Sequence, residues 1–100
     1  MIIERLIQEI RPDKWAELEL LDKKYNDVEA RLGYPPKKRM RSLAGPLNMN
    51  TLIIERQWES LAKMEAANEL AQADPEYQAL WVESNAVIKS NRWELYMPLP

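Results

Sequence analysis

The chain has no cysteine, no histidine and no phenylalanine, and only two glycines in 100 residues. Without cysteine there is no disulfide to brace a small core, no thiolate ligand and no thiol nucleophile. Without histidine it lacks the commonest general base near neutral pH and the commonest transition-metal ligand. A Ser-His-Asp relay and a histidine-ligated haem are both excluded. Two glycines cannot build a phosphate-cradling loop or a dinucleotide-binding turn. Long apolar runs are missing as well. The longest aliphatic stretch is Leu52-Ile53-Ile54, whereas a spanning helix needs roughly 20 residues. The opening MIIERLIQEI is interrupted by charge, unlike the apolar stretch of a signal peptide. Membrane association is not expected, and cytoplasm is the default location.

What is present describes one small globular domain spanning 1–100, with 46% apolar and 30% charged residues and a net charge of −2. The hydrophobic period switches along it. Residues 2–10 alternate, with Ile3, Arg5, Ile7 and Glu9 on one side and Ile2, Glu4, Leu6, Gln8 and Ile10 on the other, as in a strand. Pro12 and Asp13 signal a helix start. Trp15, Leu18, Leu21, Tyr25, Val28 and Leu32 then recur at steps of three or four, giving a helix of about 20 residues. Gly33 caps it, and Pro35-Pro36 prevents continuation. KKRMRSLA at 37–44 and TLIIERQW at 51–58 read as strands separated by a turn at Gly45-Pro46. Ser60 caps a second helix showing Leu61, Met64, Ala67 and Ala71, and Asp74-Pro75-Glu76 starts a short third one. Trp93, Leu95 and Met97 alternate with Arg92, Glu94 and Tyr96 in a last strand.

The order β-α-β-β-α(α)-β specifies a ferredoxin-like α+β fold: a four-stranded antiparallel sheet with all helices on one face. Right-handed crossovers put the first and third strands at the centre and the basic second strand at an edge. All four strands carry apolar residues on both faces, and a chain this short has nothing left to cover the side away from the helices. A second copy, sheet against sheet, is the expected cover.

Particular runs also resemble the NIPSNAP family: GPLN from Gly45 leading into an aliphatic strand, then an aromatic followed by Glu59-Ser60; ADPEYQALW at 73–81; and the closing strand followed by proline. The likeness is close over residues 45–100 and one of layout before that. It implies a dimeric α+β barrel, a superfamily that also holds cofactor-free antibiotic-biosynthesis monooxygenases and haem-degrading enzymes. The family has no settled catalytic residues, so the resemblance implies no reaction and no cofactor. Where the family commonly has a histidine in the third strand and a tryptophan two residues on, this chain has Ile54 and Arg56.

Three constellations are candidates for chemistry. Arg31, Lys37, Lys38, Arg39 and Arg41 lie in a 20-residue window, 31–50, without an acid. Lys38, Arg39 and Arg41 would form an anion site there, or the charge protects a sheet edge or pairs with acidic helices of a partner. Nucleic acid is not the expected ligand, because no aromatic is interleaved in that strand and residues 57–88 carry a net −5. Glu4, Glu55 and Glu94 fall on neighbouring strands beside Arg5, Arg56 and Arg92, an arrangement suited to cross-strand ion pairs and, less readily, to acid–base work. The third is a cleft between sheet and helices lined by Trp15, Trp58, Trp81 and Trp93, with polar tips from Asn85, Tyr96 and Arg56. With Asn91 as a further polar tip, it would hold a small aromatic or anionic molecule; packed as core, the same aromatics would leave no cleft. Three functions follow: a small-ligand-binding homodimer, a cofactor-independent monooxygenase or isomerase of an aromatic substrate, and a structural or partner-binding homodimer. No catalytic residue, metal ligand or cofactor is assigned.

Overall fold

The computed structural model describes all of residues 1–100. Its elements run β1 (Ile2–Ile10), α1 (Trp15–Arg31), β2 (Lys37–Arg41), β3 (Thr51–Trp58), α2 (Leu61–Ala73), α3 (Pro75–Ser84) and β4 (Ile88–Tyr96). The strands form one antiparallel sheet in the order β2-β3-β1-β4. This is the ferredoxin-like order, with β1 and β3 central and the basic β2 at an edge, as right-handed crossovers require.

Local chemistry sets most boundaries. Gly33 has φ +84° and closes α1. The Tyr34 amide returns to the Glu29 carbonyl at 2.9 Å and the Gly33 amide to Ala30 at 3.3 Å, a Schellman ending that turns Tyr34 back over the sheet. The Ser60 hydroxyl accepts the Lys63 amide at 3.1 Å and starts α2. The Asp74 carboxylate accepts the Tyr77 amide at 2.9 Å, and Pro75 at the first helical position starts α3. Several ends differ from the sequence reading; the last strand, for one, begins at Ile88 and stops at Tyr96, short of Met97. The first helix begins only at Trp15, because residues 11–14 form a turn closed by the Lys14 amide on the Arg11 carbonyl at 2.9 Å. The second strand ends at Arg41 rather than at 44, where the Ser42 hydroxyl donates to the Leu47 carbonyl and begins the turn.

Register assigns the faces. Glu4 opposes Arg56 and Leu95, Leu6 opposes Ile54 and Trp93, and Gln8 opposes Leu52 and Asn91, so these residues share the face under the helices. Lys37, Arg39 and Arg41 lie on that same face, opposite Arg56, Ile54 and Leu52. The core is three small clusters: Ile10, Leu18, Leu52 and Val87; Leu21, Val28 and Leu80; and Trp58, Met64 and Ala67. On the outer face Thr51 is the one fully buried strand residue, under the 45–50 turn. No helix is long and apolar enough to cross a membrane.

Candidate functional site

Between the centre of the sheet and the α1–α3 pair lies a cavity of about 70 Å³. Leu6, Gln8, Leu52 and Ile54 form its floor, Leu18, Leu21 and Tyr25 one wall, and Tyr77 and Trp81 the other. The apolar part follows from period: Leu18, Leu21 and Tyr25 recur on the inward stripe of α1, above the inward residues of β1 and β3.

Its polar end is a buried charge network. Arg56 Nη2 meets Glu29 Oε2 at 2.6 Å, its Nε donates to the Pro35 carbonyl at 3.3 Å, and its guanidinium lies 5.0 Å from the Tyr34 ring centroid. Lys37 Nζ bridges Glu29 at 3.0 Å and Asp22 at 2.7 Å. Arg39 adds a bidentate pair to Glu19 at 2.8 and 2.9 Å. The acids at 19, 22 and 29 are spaced by three and seven, which puts them on one face of α1 toward β2. Lys37 and Arg39, two of the three inward-facing cations of β2, are thus answered within the chain by acids of the helix that precedes them. That spacing was the available signal for the pairing.

Neutral polar groups complete the lining. Gln8 Nε2 donates to Asn91 Oδ1 at 2.9 Å. The Tyr25 hydroxyl lies 2.8 Å from Ser84 Oγ, which itself donates to the Leu80 carbonyl, so the phenol is the donor to Ser84. Burial pushes the Tyr25 phenol up to about 12 and raises Tyr34 and Tyr77 as well. All three therefore stay neutral across the physiological range and serve as hydroxyl donors and acceptors.

The candidate residues do not converge on one cleft. Arg56 and Trp81 line the inner cavity. Trp58 is buried beside Tyr34, their rings 5.3 Å apart edge to face, and gives its N–H to Glu4 at 3.0 Å. Trp93 gives its N–H to the other Glu4 oxygen at 2.8 Å. Trp15 donates to Asn50 at 3.0 Å and lies under the Arg41 guanidinium at 3.9 Å. Asn85 is the exposed C-cap of α3. Tyr96 must be moved: its partner Ile3 belongs to the outer face, so it is on the side of the sheet away from the helices. The anion candidates divide in the same way. Lys38 faces outward opposite Glu55, Arg39 is tied to Glu19, and Arg41 packs on Trp15 and donates to the Met49 carbonyl at 2.7 Å. The strand carboxylates resolve too. Glu55 takes Arg5 at 2.9 Å and Glu94 takes Arg92 at 3.2 Å, while Glu4 faces inward with two indole donors and no cation.

Beyond Tyr77 and Trp81, on the side of the helices away from α1, a second hollow of about 500 Å³ runs between α2 and α3. Tyr34, Asn68, Ala71, Gln72 and Val82 line it together with those two aromatics. The Tyr34 hydroxyl donates to Asn68 Oδ1 across its base at 2.7 Å. The sequence reading took Tyr25 and Tyr77 as core, because a tyrosine on an apolar stripe looks like core until its neighbours are placed, and it passed over Tyr34 and Asn68, whose contact joins residues far apart in sequence.

Comparison with solved structures decides the fold class. A NIPSNAP-family protein from Agrobacterium tumefaciens superposes over 98% of this chain and 85% of its own, with a TM-score of 0.81 and 24% identity. A NIPSNAP-domain protein from Burkholderia xenovorans does so over 99% and 95%, at 0.77 and 18%. The chain has the NIPSNAP-domain fold. An antibiotic biosynthesis monooxygenase matches over 100% of both chains at a TM-score of 0.71 and 12% identity, so this NIPSNAP-like fold is shared with such enzymes. No family model matches the sequence, and no curated protein does.

Proposed function

We propose that this NIPSNAP-like chain is a small-molecule-binding protein. Its ligand is a flat, mostly apolar molecule with one polar substituent, seated between the sheet and the α1–α3 pair. The observation that carries this reading is the meeting of two hollows at one aromatic wall. The inner cavity of about 70 Å³ and the α2–α3 hollow of about 500 Å³ both have Tyr77 and Trp81 in their lining. Joined, they fall within the roughly 300–1,000 Å³ of ordinary ligand pockets, with apolar walls and few polar groups. Gln8, Tyr25 and the Arg56–Glu29 pair would orient the substituent.

Binding is favoured over turnover. Cofactor-independent oxygenation of an aromatic substrate needs a group to deprotonate it, and in the cleft Asp22 and Glu29 are engaged by Lys37 and Arg56. The tyrosines there are held neutral by burial.

The test is a titration with 1-naphthol, a flat apolar ring system with one hydroxyl, followed by the probe's own fluorescence. Saturable binding below about 1 mM is expected. Ile54→Phe, which fills the floor, should weaken it at least ten-fold while far-ultraviolet circular dichroism is unchanged. A flat wild-type titration, or equal binding by Ile54→Phe, overturns the reading.

The outer sheet face supports a second proposal, self-association. Met40, Ile53 and Ile7 form one row across β2, β3 and β1, and Lys38, Glu55, Arg5 and Glu94 form the next with alternating sign. An apolar stripe beside a charge ladder of both signs suits contact with a copy of itself.

A further inference from the structure

We propose that Trp81 is the gate of the binding cleft, an indole that must swing aside for a ring-shaped ligand to enter. The proposal rests on the ligand-binding reading above and adds which side chain controls access. Size comes first. A cavity of about 70 Å³ is less than half of the roughly 150 Å³ that accepts a benzene ring. Closed, the inner cavity admits no aromatic molecule, so one of its walls must yield.

Most walls are pinned. The floor is central sheet, and α1 is tied to β2 and β3 through Glu19, Asp22 and Glu29. Tyr77 is held between two rings, edge to face with Tyr25 at 5.7 Å and stacked on Tyr34 at 6.5 Å. Tyr25 is held by Ser84.

Trp81 differs from the other three tryptophans. Trp15, Trp58 and Trp93 each donate the indole N–H to a side-chain oxygen, Asn50 for the first and Glu4 for the other two. Trp81 makes no hydrogen bond within the protein, pairs with no other ring, and is 47% exposed. Its displacement breaks no polar contact and costs only the exposure of the part of one ring that is now buried. Because it stands between the inner cavity and the α2–α3 hollow, one rotamer change joins the two.

Two measurements on the whole protein test this. The first is fluorine NMR of protein grown with 5-fluorotryptophan, with the Trp81 line assigned through Trp81→Phe. Trp81 is expected to show microsecond-to-millisecond exchange that Trp58 lacks, and to shift on adding 1-naphthol. The second is stopped-flow binding of 1-naphthol, where Trp81→Ala should raise the association rate at least ten-fold over wild type. Trp81→Leu, which keeps apolar bulk and guards against a folding defect, should give a smaller rise. Binding at an unchanged rate in Trp81→Ala, with a sharp and unshifted Trp81 line, overturns the gate and leaves the ligand reading intact. Absence of 1-naphthol binding in both wild type and Trp81→Ala overturns the ligand reading, and a Trp81 line without exchange then overturns the gate as well. Binding by Trp81→Ala alone makes Trp81 a fixed plug and also overturns the gate.

Discussion

At the scale of single residues, the Arg56–Glu29 pair shows how charge is tolerated beneath a helix. Each side chain is only about a tenth exposed, at 8% and 12%, and each has a second partner: Pro35 and the Tyr34 ring for Arg56, Lys37 for Glu29. Removing one member leaves the other charged and dry, which typically costs 3–5 kcal/mol, whereas an exposed pair is worth about 0–1 kcal/mol. Glu29→Gln should therefore lose about 3 kcal/mol in urea unfolding. Lys24→Ala, which breaks an exposed contact to Glu83, should lose less than about 1 kcal/mol. Equal losses would show that the network is hydrated and carries no buried charge. The same logic explains Glu4, which faces the helices without a cation: two indole N–H groups satisfy its oxygens and fix Trp58 and Trp93 in place. Trp81, given no such partner, is the tryptophan left to move.

At the scale of elements, the α2–α3 break depends on Asp74. Its carboxylate accepts the Tyr77 amide and binds Arg31 at 2.8 and 3.0 Å, tying the end of α1 to the start of α3. The Arg31 guanidinium, with help from the Tyr77 amide, holds this carboxyl down at about 2, against 3.8 ordinarily. A depressed folded-state value means that stability is fully present above 3.8 and lost as pH falls toward about 2. Asp74→Asn keeps a capping oxygen but removes the titration. The urea midpoint of wild type should fall more steeply than that of Asp74→Asn between about pH 4 and pH 2. Parallel curves would show that Asp74 titrates alike in the folded and unfolded chains. This element was legible in the sequence, because capping residues and prolines act locally: Ser60, Asp74-Pro75 and Gly33 mark boundaries with no knowledge of the fold. Strand order was legible too, since handedness leaves few choices for β-α-β-β-α-β. The site was legible only in part. Arg56 and Trp81 line the inner cavity, but Tyr96 was assigned to the wrong face: alternation already puts it on the side opposite Trp93, and one strand alone cannot say which of the two lies under the helices. Register against Ile3 supplies that information. For the tie between Arg39 and Glu19 the spacing of the acids at 19, 22 and 29 was a signal of one acidic helix face, but which strand cations meet it appears only once helix and edge strand are packed.

At the scale of the whole molecule, the decisive fact is thinness. The chain is a slab 38 × 36 × 17 Å with 15 of 100 residues buried, because one layer of helices covers one side of one sheet. On the other side Met40 is 42% exposed, and Ile3, Ile7 and Ile53 are half-buried on central strands, beside the ladder of Lys38, Glu55, Arg5 and Glu94. Solvent would tolerate an outer face made only of charges. Isoleucine at three central positions is better served by a second apolar surface, since burying such a side chain contributes about 1.5–3 kcal/mol. A two-fold contact also places each stripe against its own copy and lets the alternating charges meet opposite signs. The wild-type chain should therefore run as a dimer at about 10 μM in light scattering coupled to size exclusion, which asks for a free energy of association of about −7 kcal/mol or better. Ile53→Glu puts a carboxylate into the middle of the stripe of both copies and should give monomers, still folded because that face supports no helix. Leu70→Glu, on the exposed side of α2, should leave the dimer intact and so separates loss of the stripe from a general effect of added charge. A wild-type chain that stays monomeric at about 100 μM would mean that the outer face is stable in water as it stands, its apolar row shielded by the long side chains of Arg5, Lys38 and Arg92.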